Sequence, residues 1–377
     1  MASSLLPAED PRRFWLAVAR APGLHADHLK PALAKAGGPD GLWRETASRL
    51  RALGLPPAAS ALLAEPPEGQ IDADLAFLDR SGTQLIACTD PAYPAQLAPV
   101  PTAPAVLLVR GDATLLHRPQ LAIVGSRRPT PAGRDIAREF AAALVQRGLV
   151  ITSGLALGID AAAHEGALSA GGATLAVCGT GLDRVYPPRH HDLADRIAAQ
   201  GALVSEFAPG TPPLPHHFPR RNRILSGLSR GTLVVEAALK SGSLVTARCA
   251  LEQGRDVFAI PGSIRSPQSV GCHALLRDGA RLITVPQDIL DEIAIPIENL
   301  SFDFQGLVTA PERLPAGQRL DKPREMLLDA LGFEPVSIDE LVDRTGVPAG
   351  TVAALLLSLE LDRWVEPQPG GHYCRLR

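Results

Sequence analysis

Three arginines, Arg220, Arg221 and Arg223, crowd around Asn222 in the segment FPRRNRILSGLS that begins at Phe218. Further along, the turn Lys240-Ser241-Gly242-Ser243 precedes a helix-like stretch. A guanidinium fork grips phosphate oxygens with two parallel N–H bonds. A Ser/Gly turn opening a helix points unpaired amides at an anion, where the helix dipole also favours negative charge. The expected ligand therefore bears phosphate. A second cluster, Gly125-Ser126-Arg127-Arg128, opens the turn GSRRPTPAG. It lacks the GxxxxGK[ST] spacing that supplies a hydrolase with its lysine and Mg²⁺ ligand, so it reads as a phosphate nest without ATP turnover.

Other motifs weigh less. In SGLALGIDAAAH, which starts at Ser153, Gly154 allows close backbone approach, and Asp160 either caps the following helix or orients an arginine. The GTG of Gly179 to Gly181 is a fragment of a dinucleotide fingerprint without its third glycine or a ribose-binding acid, which argues against NAD. His190-His191 and His216-His217 belong to no HExxH or Cys/His framework, so neither metal nor cofactor is expected. Glu236 is read as the only strand-end carboxylate placed for acid/base work, with pairing to an arginine as its plain structural role. Aromatic residues make up 4% of the chain, too few for a platform of several rings, but Phe218 and Tyr186 could each hold one base.

The elements that must position these groups are short β-branched runs, read as followed by glycine and then a helical segment. They begin near residues 121, 149, 173, 202, 232, 256 and 280. Near-continuous apolar strands separated by helices predict an extended Rossmann-like, doubly wound parallel sheet, with Ser126, Gly154, Gly179 and Glu236 on one carboxyl-end rim. The helix after GSRRPT should start at Pro131, bury Ile136, Phe140 and Leu144, and stop at Gly148. Residues 1–67 read as a small helical domain of the SAM or helix-hairpin-helix kind, 68–297 as the Rossmann-like domain and 298–320 as a linker. Residues 321–377 read as a winged helix. From Asp321 onward 6 Lys+Arg face 10 Asp+Glu, and the would-be recognition helix TVAALLLSLEL carries no cation. Protein contact or self-association is therefore the favoured role of that domain.

The formal net charge of −3 excludes a globally basic nucleic-acid coat, so any such contact must be a local patch. Five scattered cysteines without a CxxC fit reduced thiols and a cytoplasmic setting. No basic-then-apolar leader and no long apolar run is seen, so a membrane location is not expected.

In order, the segments PAVLLVRG, VGSRRPTPAG, ITSGLALGIDAAAH, VCGTGLDRVYPP, FPRRNRILSGLS and VVEAALKSGSLVTARC, the last ending at Cys249, resemble the DprA/Smf (DNA-processing protein A) family over roughly Tyr93 to Ala280. The resemblance implies a Rossmann domain, a SAM-like domain before it and a winged helix after it. It also implies a non-enzymatic role: binding and protecting single-stranded DNA, forming homodimers, displacing single-strand-binding protein and loading the recombinase RecA during natural transformation. Carried over, the DNA pocket uses Gly125, Ser126, Arg127, Phe218, Arg221, Asn222, Arg223 and Ser241 to Ser243. Arg128, Gly154 and Lys240 join them from the residue reading. Two departures touch the rim: His273 stands for the family's usual Asn, and His190 or His191 for another. The alternative is a nucleotide N-glycosidase. Gly231-Thr232 before Glu236 is similar to the PGGxGTxxE site of LOG-type nucleoside-monophosphate phosphoribohydrolases, but no PGG precedes it and three residues, not two, separate Thr232 from Glu236.

Overall fold

A computed structural model describes residues 10–293, 321–331, 335–368 and 370–376. The linker read at 298–320 lies outside them. Five helices lead the chain: α1 (Arg12–Arg20), α2 (Ala26–Ala36), α3 (Ala47–Ala52), α4 (Pro57–Ala64) and α5 (Glu68–Ser81). Then β1 (Gln84–Ala87) and β2 (Val106–Gly111) precede the alternating part: β3 (Gln120–Val124), α6 (Pro131–Gln146), β4 (Val150–Ser153), α7 (Ile159–Ser169), β5 (Thr174–Val177), α8 (His191–Gln200) and β6 (Ala202–Ser205). It continues with α9 (His217–Leu228), β7 (Gly231–Val234), α10 (Gly242–Glu252), β8 (Asp256–Ala259), α11 (Val270–Arg277), β9 (Arg281–Leu282) and α12 (Pro286–Glu292).

The nine strands form one sheet in the order β1-β2-β6-β5-β4-β3-β7-β8-β9. Seven of them, β6 through β9 in that order, run parallel. The sheet is mixed, not wholly parallel, because β2 pairs antiparallel with β6, and β1 with β2. Strand β3 sits between β4 and β7, with Ala122 opposite both Thr152 and Thr232. From β3 the chain winds outward through β4, β5 and β6, then returns to the other side of β3 for β7. That reversal leaves a crevice between the carboxyl ends of β3 and β7, where sheets of this kind bind ligands.

Burial on both faces accounts for the strand sequences. All five residues of β3 are buried, and they alternate in direction: Ala122 and Val124 pack with one core, Leu121 and Ile123 with the other. The second core is closed by Phe140 and Leu144 of α6, Ile159 and Ala163 of α7 and Ile289 of α12. The first core is continuous with the N-terminal helices, joining Phe14, Leu16 and Leu29 to Leu107, Ile224 and Leu225. Charge fastens the same helices. Arg20 of α1 forks onto Asp74 of α5 with two 2.7 Å bonds, and Arg12 and Arg13 reach Asp79 and Asp72 of α5. Helix α5, placed with the sheet in the sequence reading, is thus ion-paired along α1.

The chain falls into two compact units, and the second carries the winged helix. It comprises α13 (Lys322–Leu331), β10 (Val336–Ser337), α14 (Ile338–Thr345), α15 (Ala349–Leu361), β11 (Val365–Gln368) and β12 (His372–Arg375), with strand order β10-β12-β11. Ser337 and Glu340 form a capping box that starts α14, and Gly346 ends it with a φ of 67°. Leu341, Val352, Leu356 and Leu359 fill its core. The outer face of α15 exposes Leu357 and Leu361 and bears no cation.

Candidate nucleic-acid interface

A cavity of about 720 Å³ opens at the β3/β7 crevice. Its lining includes Gly125 to Arg128 after β3, Asp160 at the start of α7, Phe218, Arg221 and Asn222 of α9, Lys240 to Ser243 entering α10, and Tyr186. The local folding of each segment is simple. Ser126 Oγ accepts the Arg128 amide at 3.1 Å, which curls the turn so that both arginine stems leave from the rim. Ser241 caps α10 by accepting the Ser243 amide at 3.3 Å, and the two hydroxyls lie 2.6 Å apart. Asn222 Nδ2 donates to the Gly242 carbonyl at 3.5 Å, tying α9 to that cap. The rim therefore presents Arg127, Arg128, Lys240 and a capped helix N-terminus, all favourable to anions.

The floor is built differently. Arg221 is 4% exposed and donates from Nη1 to the Val177 carbonyl at the end of β5. Asp160 is buried too, its Oδ2 accepting the amides of Gly154 at 3.0 Å and Ala156 at 3.3 Å. Asp160 thus pins the β4–α7 loop instead of capping its helix. Burial raises the Asp160 pKa, opposed by Arg221 and those two amides, and burial lowers that of Arg221, opposed by Asp160. Gly154 lies beneath both. A Cβ there would stand 2.4 Å from Arg221 Nη1 and 2.6 Å from Asp160 Oδ2. On the wall, the Phe218 ring meets Tyr186 at a centroid distance of 5.5 Å, and the Arg127 guanidinium lies 5.8 Å from the Phe218 centroid.

Of the residues singled out in the sequence, the cavity gathers Gly125, Ser126, Arg127, Arg128, Phe218, Arg221, Asn222, Lys240, Ser241, Gly242 and Ser243. Gly154 supports the floor without lining it. Arg223 is on the far side of α9, where its Nη2 donates to Glu206 Oε2 at 2.7 Å and its Nε to Thr102 Oγ1 at 3.2 Å. Arg220 shares the same carboxylate oxygen at 2.9 Å. Glu206, 6% exposed, directly follows β6, so Glu236 is not the only strand-end carboxylate. Its signal was the acid in ALVSEF, one residue past an apolar run. His25 of the α1–α2 turn feels this group: burial, then the charges of Arg223 and Arg220, push its pKa down to about 4. The two departures from the family pattern are accounted for locally. His190 is buried with Nδ1 2.9 Å from the Leu155 carbonyl, and His273 Nε2 lies 2.9 Å from that of Gly262.

With that geometry in hand, comparison with known proteins is specific. Residues 84–294 match the family model of DNA recombination-mediator protein A, and 310–371 match the DprA winged helix domain. Protein Smf of Escherichia coli is 47% identical, with 82% of each chain covered. DNA processing protein DprA of Streptococcus pneumoniae is 49% identical over 54% of this chain and 72% of its own. The X-ray structure of DprA from the same species superposes with a TM-score of 0.67 at 36% identity, covering 75% of this chain and 99% of that one. A DprA structure from Helicobacter pylori, which addresses that protein's single-stranded DNA binding mode, gives 0.50 at 32% identity, covering 56% and 94%.

Proposed function

Since the chain belongs to the DNA recombination-mediator protein A family, we propose that it binds single-stranded DNA in the cavity at the β3/β7 crevice and delivers it to recombination. The observation that carries this reading is the convergence on one cavity of Arg127, Arg128, Arg221, Asn222, Lys240 and the α10 N-terminus beside the rings of Phe218 and Tyr186. Cations and the positive end of the α10 dipole hold the backbone, and a ring can stack a base without regard to sequence. The single-stranded DNA mode described for the Helicobacter pylori relative supports the same ligand. Within this reading the protein acts in the cytoplasm as a homodimer, protects incoming strands, takes them from single-strand-binding protein and loads RecA. The family resemblance supports those steps. Among the described residues no helix is long and apolar enough to cross a membrane.

Nucleotide N-glycoside hydrolysis is not favoured. Glu206 is held by two arginines, and Glu236 is not among the cavity's lining residues. The deciding experiment pairs oligonucleotide binding, read by fluorescence anisotropy across a salt series, with an assay for adenine released from AMP. Affinity should fall linearly with log salt, and Arg127→Ala should flatten the slope by about 0.7 per lost phosphate contact. Salt-independent binding, or base release above background, would overturn the reading.

A further inference from the structure

Rim and floor of the cavity differ in kind. At the rim Arg127, Arg128, Lys240 and the α10 amides are all donors, which suits phosphate. The floor sets an acceptor beside a donor. Asp160 Oδ1 has no hydrogen-bond partner among the described residues, because only Oδ2 takes the Gly154 and Ala156 amides. Arg221 Nε is buried without a partner, and the single bond of its guanidinium is the one to Val177. No direct ion pair joins the two side chains, although both press on Gly154. Both side chains line the cavity with hydrogen-bonding capacity unused, so a ligand seated on the floor meets an acceptor beside a donor. A phosphate cannot use both, since it would face the Asp160 carboxyl. A base edge carrying donors next to an acceptor can.

We propose that the floor is a guanine-selective subsite: one base of the bound strand stands against the Phe218 and Tyr186 wall, its N1–H and 2-amino group donating to Asp160 and its O6 accepting from Arg221. This rests on single-stranded DNA being the ligand of the cavity. Guanine is the base with two adjacent donors followed by an acceptor on one edge. Thymine offers a single N–H between two acceptors, and adenine and cytosine each offer one amino group. Sequence tolerance at the rim and preference for one base at the floor are compatible, because phosphate contacts position a strand and base contacts specify it.

The test uses the full-length protein and a set of dT oligomers in which one central residue is T, A, C, G or inosine, with binding read by anisotropy. The oligomer with a single G should bind about tenfold tighter than all-dT, the scale of one good bidentate base contact. Inosine, which lacks the 2-amino group, should lose most of that gain, and Asp160→Asn should bring the G-to-T ratio close to one whatever the absolute affinities. The base series on the unaltered protein decides the matter even where the variant does not fold. Equal affinity for all five oligomers, or a preference for another base, overturns the subsite while leaving single-strand binding intact. Failure of every oligomer to bind overturns the proposed ligand, and the subsite with it.

Discussion

The two sides of α9 put neighbouring arginines to opposite uses. On one side Arg221 reaches the cavity floor with a single carbonyl acceptor and a carboxyl that it does not touch. On the other, Arg223 and Arg220 close on Glu206, and Arg223 also bonds Thr102 beside the N-terminal helices. Both Arg221 and Arg223 are buried, and each keeps one guanidinium nitrogen without a partner, so neither burial nor completeness of bonding tells them apart; the counter-charge does, since Arg223 has the Glu206 carboxylate and Arg221 only a carbonyl. An arginine with its own carboxylate supports the fold, and one without a direct counter-charge at a cavity floor is free to take a ligand.

The sharpest way to break that contrast is at Glu206. Glu206→Ala strands two arginines without their counter-charge and should cost about 3–5 kcal/mol of stability, read from denaturant or thermal unfolding, while protein that remains folded keeps its DNA affinity. Arg221→Ala should do the reverse. It should weaken oligonucleotide binding about tenfold, the scale of a lost hydrogen bond to a charged group, with a smaller change in melting temperature than Glu206→Ala. If both variants lose binding in parallel with stability, the two sides are one structural cluster and the contrast fails.

Acid sharpens it further. His25 stays neutral in the fold to about pH 4, whereas an unfolded histidine takes its proton near 6.5, so in that window the unfolded chain binds more protons. Its contribution to stability is complete above about pH 6.5 and is lost as pH falls toward 4. Because His25 is only half-buried and shares its surroundings with Glu206, Arg220, Arg223 and His28, the loss should not exceed about 1 kcal/mol. Unfolding curves between pH 4 and 7 for the native protein and His25→Gln check this, and the variant should show the shallower decline. The smallest effect is expected from removal of the winged helix. A chain ending at Gln318 should keep its single-strand affinity within about twofold, since the winged helix is acidic and its α15 face carries no cation.

The central strand runs were legible because strands buried on both faces are nearly all apolar. The antiparallel edge was not: PAVLLVRG has the same apolar look as the parallel strands, and nothing in an apolar run encodes its direction. At the site, residue types pointed to an anion, but the division of labour among Arg220, Arg221 and Arg223 was hidden while the segment was read as a cluster without secondary structure. Once it is a helix, residues two apart cannot share a face, so Arg221 and Arg223 must part. Glu206 escaped for a related reason. One acid at the end of an apolar run shows its importance only when α9 is laid across it.

Two glycines leave room for further design. Gly154 backs Arg221 and Asp160, and Gly179 backs Phe218, whose ring carbon would lie 2.9 Å from a Cβ added there. A methyl group at residue 154 would drive the guanidinium and the carboxyl forward into the cavity, and one at residue 179 would tilt the aromatic wall. The depth of the recess and the pitch of its wall could then be adjusted independently, one hydrogen atom exchanged at a time, to recast which nucleobase the protein admits.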